Sequence, residues 1–84
     1  MDEKLLAIVY ETVASCSAAP VPPNIGRDED IIAKEIMDSM TLLQTAVMLQ
    51  ERFGILIDEA DLVPQNFRSL GSMCGFLERM GAHA

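Results

Sequence analysis

Histidine is almost absent from this chain: the sole one, His83, is the penultimate of 84 residues. Beyond Gly81 nothing would orient it as a general base or a ligand. Cysteine is equally scarce. Cys16 and Cys74 lie near opposite ends, with no companion Cys or His at ligand spacing, which excludes a zinc site or a redox motif and leaves two reduced core thiols. Basic side chains are few, 6 against 13 acidic ones, and they are scattered singly. A phosphate-backbone binder needs them clustered, so nucleic acid and anionic membranes are excluded as partners, and basic protein surfaces are the natural match. No apolar run approaches the ~20 residues that cross a bilayer, so no membrane insertion is expected. The opening Met1-Asp2-Glu3-Lys4 lacks the pattern of a secretory leader, and a cytoplasmic protein is expected. Without a glycine-rich phosphate loop or a placed Cys/His pair, there is no self-contained catalytic constellation, and the chain reads as a non-enzyme.

What is present suits one small domain spanning residues 1–84. Half of the residues are apolar and the net charge is −7. A chain this short buries only about two-thirds of its unfolded surface, so modest stability is expected. One core accounts for the apolar content, which predicts a monomer.

From Asp2 to about Cys16 the positions Leu5, Ile8, Val9, Val13 and Cys16 recur at three- and four-residue steps, predicting an amphipathic helix. Ser17 to Asp30 holds Pro20, Pro22, Pro23, Asn24 and Gly26 and predicts a long ordered loop packed through Val21, Ile25, Ile31 and Ile32. Asp38-Ser39 stands directly before the run Met40 to Phe53, the start of a second helix whose end is marked by Gly54. Asp58 and Asp61 suggest a capped short helix, Asp58 to about Leu62, ended by the Val63-Pro64 step. A loop then runs from Pro64 to Arg68. Ser69 starts a last helix with an apolar face of Leu70, Met73, Phe76, Leu77 and Met80, in which Gly71 and Gly75 cost about 1 kcal/mol each relative to Ala unless they permit close packing. No strand alternation is visible, so the expected fold is all-α: a small four-helix bundle with a long loop between its first two helices and a short third helix.

The segment Ile36-Met37-Asp38-Ser39-Met40 stands out. Taken locally, Ser39 is a helix-capping serine. In context, an amphipathic helix, a long Pro/Gly loop, an Asp-Ser-Met step into helix two, Phe53-Gly54, a one-turn acidic helix and a final helix resemble the acyl and peptidyl carrier protein family. The similarity runs from roughly Leu5 to Met80 and is strongest from Ile36 to Leu77.

The resemblance implies that Ser39 bears 4′-phosphopantetheine, covalently attached from coenzyme A by a magnesium-dependent phosphopantetheinyl transferase. The arm's thiol would hold an acyl or aminoacyl cargo as a thioester and carry it between a loading ligase and downstream transferases. A phosphodiester at Ser39 would meet the free N–H groups and positive dipole end of helix two. Asp38 would contribute to partner recognition or simply favour the dipole. Helix two would be the docking surface, and its outer positions are expected to be Thr41, Leu42, Gln44, Thr45, Met48, Gln50, Glu51 and Arg52, with Asp38, Met40, Leu42, Thr45 and Met48 meeting partners. Leu42 and Met48 are equally compatible with scattered surface apolars. This surface is much less acidic than in fatty-acid synthesis carriers. With the tract Asp58 to Leu70, it looks closer to free-standing carriers of D-alanylation or secondary metabolism. A second departure is Glu35, where the family usually has Gly. Leu43, Val47, Ile57, Leu62 and Leu70 would line a cargo cavity or form ordinary core. An unmodified carrier-like interaction module, with Ser39 only capping helix two, is the alternative reading.

Overall fold

The computed structural model describes residues 3–17 and 19–82; His83 and the Met1-Asp2 opening lie outside them. Among these residues there are four α-helices and no strand: α1 (Glu3–Cys16), α2 (Ser39–Phe53), α3 (Pro64–Phe67) and α4 (Leu70–Arg79), with a 3₁₀ turn at Glu59–Asp61 before α3. None of these helices is long and apolar enough to cross a membrane. The expected all-α bundle is the observed one.

α1 buries Leu5, Val9, Thr12 and Val13 and packs against both α2 and α4. Ile8 and Cys16, expected on its apolar face, are only half-buried. Thr12 enters that face because its hydroxyl donates to the Ile8 carbonyl at 2.7 Å, so its buried polar atom is satisfied within the helix.

The long loop is held by the rest of the molecule. The Tyr10 hydroxyl donates to the Val21 carbonyl at 3.0 Å. The Gly71 N–H donates to the Arg27 carbonyl and the Ile31 N–H to the Arg68 carbonyl, both at 2.8 Å. Asp30 Oδ1 accepts from the N–H groups of Ile32 and Ala33, closing a turn that carries Ile31 into the core. Ile31 is fully buried and Ile32 only half-buried. Gly71 shows why a glycine stands inside α4: a Cβ there would lie 3.0 Å from the Arg27 carbonyl oxygen that its own N–H binds.

The capped short helix expected at Asp58 is present as a single 3₁₀ turn, Glu59–Asp61, whose capping box includes the Asp58 N–H donating to the Asp61 carboxylate at 3.2 Å. One element differs from expectation: the segment Pro64 to Phe67, expected to be loop, is α3. The proline that stops one helix also starts the next: Val63 is extended, and Pro64 at the first helical position brings a preset φ and lacks an N–H that would have gone unbonded there. This turn delivers Phe67, fully buried, onto α4, its ring 5.8 Å from that of Phe76. Leu70, Met73, Cys74 and Leu77 of α4 complete the core with Leu5, Val9 and Val13.

Candidate functional site

α2 begins one residue earlier in its capping pattern than a serine cap requires. Asp38 is the N-cap, in extended conformation, and its Oδ1 accepts the Thr41 N–H at 2.7 Å. That backbone bond holds the Asp38 carboxyl below the usual carboxylate range, because it favours the ionised form. Ser39 is thus the first residue of the helix and not its cap, which corrects the local reading of this serine. The ionised Asp38 carboxylate makes a charge-assisted hydrogen bond to a first-turn N–H at the positive end of the helix dipole.

The consequence for Ser39 is clearest beside Ser69, the serine that starts α4. Ser69 is a cap: it is 6% exposed, its Oγ accepts the Ser72 N–H at 3.0 Å and donates to Ser72 Oγ at 3.0 Å. Ser39 is exposed at the entrance of a 15-residue helix, where first-turn N–H groups and the dipole favour an attached anion.

Ser39 opens onto a groove of about 420 Å³ lined by Ile32, Met37, Leu42, Leu43, Leu62 and Pro64. The five residues proposed for a cargo cavity do not share it. Leu43 and Leu62 line this groove, but Val47 lines a separate groove with Cys16 and Met48, Ile57 packs against the edge of the core, and Leu70 is buried. Ile32, Met37 and Pro64 were not expected in the lining. Their signal was weak, since they lie on three segments that only the folded loop brings together.

The exposed face of α2 departs from expectation in part. Gln44, Met48, Glu51 and Arg52 are exposed as read, but Thr41 and Thr45, also read as outer positions, are 6% and 0% exposed, whereas Met40, Leu43 and Val47 are 68%, 52% and 45% exposed. Of the residues proposed for partner contact, Asp38, Met40 and Met48 are accessible, Leu42 is half-buried and Thr45 is inaccessible. The physical reason is that α2 carries two apolar stripes, 40/43/47 and 42/46/49/53. Only the second turns inward, and the short threonines fill the space beside Ala46 and Leu49. The Thr45 hydroxyl is left without a hydrogen-bond partner.

The loop before the site contains the other departure noted in the sequence. Glu35 has φ of +60°, in the left-handed region where glycine is favoured. The turn leads into Ile36 and Met37, whose N–H groups both donate to the Ile31 carbonyl at 3.0 Å.

No curated protein and no solved structure matches the chain. The family model described as "phosphopantetheine attachment site" matches residues 10–77, a span that contains the Asp38-Ser39 step, the groove and all of α2. The chain thus belongs to the phosphopantetheine attachment site family, whose members are carrier proteins bearing covalently attached 4′-phosphopantetheine.

Proposed function

We propose that Ser39 is the residue that bears the phosphopantetheine, and that the chain is a free-standing, monomeric, single-domain carrier of acyl or aminoacyl groups. The observation that supports Ser39 most is the separation of roles at the start of α2: Asp38 takes the cap, and the adjacent serine keeps an exposed hydroxyl at the positive end of the helix. The residues present fit the group. An exposed serine supplies the oxygen to be modified, the first-turn N–H groups favour its phosphate, and the apolar groove of Leu42, Leu43, Leu62 and Pro64 offers an adjoining surface for apolar parts of the arm or cargo. When bound, the group supplies a thiol on which cargo is held as a thioester.

The chain's own residues bind and orient, and the chemistry belongs to partners. Members of this family interact with a phosphopantetheinyl transferase and with the enzymes of their pathway. Deprotonation of the Ser39 hydroxyl falls to the transferase, as the family resemblance implies. The uncharged run from Ser39 to Gln50 supports a dedicated pathway of the D-alanylation or secondary-metabolite type over fatty-acid synthesis, with its own loading ligase and downstream transferases. The two free cysteines suit a reducing, cytoplasmic compartment. In the alternative reading, an unmodified interaction module, Ser39 is an exposed first residue of α2 and not its cap.

Proteolytic mapping after reaction with coenzyme A, magnesium and a phosphopantetheinyl transferase tests the assignment. The arm is expected on the fragment containing Ser39, with the fragment of the buried cap Ser69 unmodified. An arm on any other serine would refute it.

A further inference from the structure

Between α1 and the long loop is a second groove, of about 380 Å³, that shares no lining residue with the one beside Ser39. Leu6, Ala7 and Tyr10 of α1 and Pro23 and Ile25 of the loop give it an apolar lining. Glu3 and Glu11 line it too, both exposed, and no basic side chain does. These carboxylates stand eight residues apart in one helix, a separation of about 12 Å, with the exposed Ala7 four residues from each. Neither is in an ion pair among the described residues, unlike Glu29 with Lys34 and Asp30 with Arg68. The fold holds the groove in shape. The Tyr10 hydroxyl donates to the Val21 carbonyl at 3.0 Å, the Ile25 N–H closes a turn on the Pro22 carbonyl at 3.2 Å, and the Gly71 N–H ties the loop to α4 through the Arg27 carbonyl. A ligand therefore does not have to order the loop that it binds.

We propose that this groove is a docking site for a helical segment of a partner protein that presents an apolar side chain flanked, about one turn to each side, by basic ones. Charge and spacing select this occupant. Lys or Arg residues seven or eight positions apart on a helix stand about 10–12 Å apart, the separation of Glu3 and Glu11. Residues three or four positions from each put an apolar side chain on the same face, over Leu6, Ala7 and Tyr10. A second copy of a chain with net charge −7, an anionic bilayer or a nucleic acid would bring like charge to both carboxylates, and an uncharged apolar ligand would leave both unused. Because the two grooves have no lining residue in common, a segment seated here leaves the residues around Ser39 uncovered. The site holds a partner on the chain without competing for that serine.

The test titrates the full chain, labelled with nitrogen-15, with an Ala-rich helical peptide bearing two lysines seven residues apart and leucines between them on the same face. A second peptide has the same composition with its lysines adjacent. Amide shifts with the spaced peptide are expected at Ala7, Tyr10 and Ile25 and not along α2, and the adjacent-lysine peptide is expected to bind about fivefold more weakly. Two substitutions at exposed positions separate the halves of the site. Glu3→Gln with Glu11→Gln is expected to weaken binding of the spaced peptide about fivefold at low salt, with the gap closing at high salt. Ala7→Lys sets a cation four residues from each carboxylate and lays its stem over the apolar lining, so it is expected to weaken binding about tenfold at either salt concentration. Its thermal melt is expected to match or exceed that of wild type. No binding of the spaced peptide, equal binding of the two peptides, shifts centred on α2, or wild-type binding by Ala7→Lys would each overturn the proposal, and none of these outcomes touches the assignment of Ser39.

Discussion

Because Asp38 already accepts the Thr41 N–H, the contribution of this residue to α2 depends on its ionisation. Its folded pKa lies below the ordinary value, so the stabilisation is complete above the unfolded carboxylate pKa of about 3.9 and is lost as pH falls through the lower folded value. Asp38→Ala is expected to melt below wild type at pH 7, with the gap narrowing below about pH 4; a gap constant with pH would show that the carboxylate is not the cap. Glu35 carries the other residue-scale prediction. A side chain at φ of +60° is strained by roughly 1–2 kcal/mol, and glycine relieves this while adding freedom to the unfolded chain. Glu35→Gly is expected to raise unfolding free energy by up to about 1 kcal/mol in denaturant titration, and a decrease would refute the strain. At this scale the sequence was partly legible. The Asp-Ser pair marked the helix start and the family motif, but either residue can cap, and only the position of the first helical turn decides between them.

At the scale of elements, the helix starts and stops were legible wherever a single residue type has one physical reading. Gly54 ends α2 at φ of +64° with its N–H on the Gln50 carbonyl, and Ser69 caps α4, both as their sequence signals predicted. Pro64 has two readings, stop and start, and α3 was missed for that reason. The inward face of α2 was misassigned because two apolar stripes compete for the core, and the choice is made by α1 and the loop, not by α2 itself. The glycines of α4 separate local propensity from packing. A Cβ at Gly75 meets only the flexible end of Arg79 at 3.6 Å, whereas at Gly71 it meets the Arg27 carbonyl at 3.0 Å. Gly75→Ala is expected to stabilise by up to about 1 kcal/mol, and Gly71→Ala to fall clearly short of that or to destabilise, since it presses the loop off α4. Equal effects in chemical denaturation would mean that Gly71 is not needed for this contact.

At the scale of the whole molecule, the all-α architecture followed from periodicity, but the groove did not. Ile32, Met37, Leu62 and Pro64 meet beside Ser39 because Asp30 folds its turn and the Ile31 N–H reaches the Arg68 carbonyl, contacts between segments far apart in sequence. A carrier with one exposed serine at a helix start makes a direct demand on its modification chemistry. The intact mass of the chain and of Ser39→Ala, each after incubation with coenzyme A, magnesium and a phosphopantetheinyl transferase, tests that demand. One phosphopantetheine gained by wild type and none by Ser39→Ala is the expected result. An equal gain by both, or none by wild type, would contradict the assignment of Ser39.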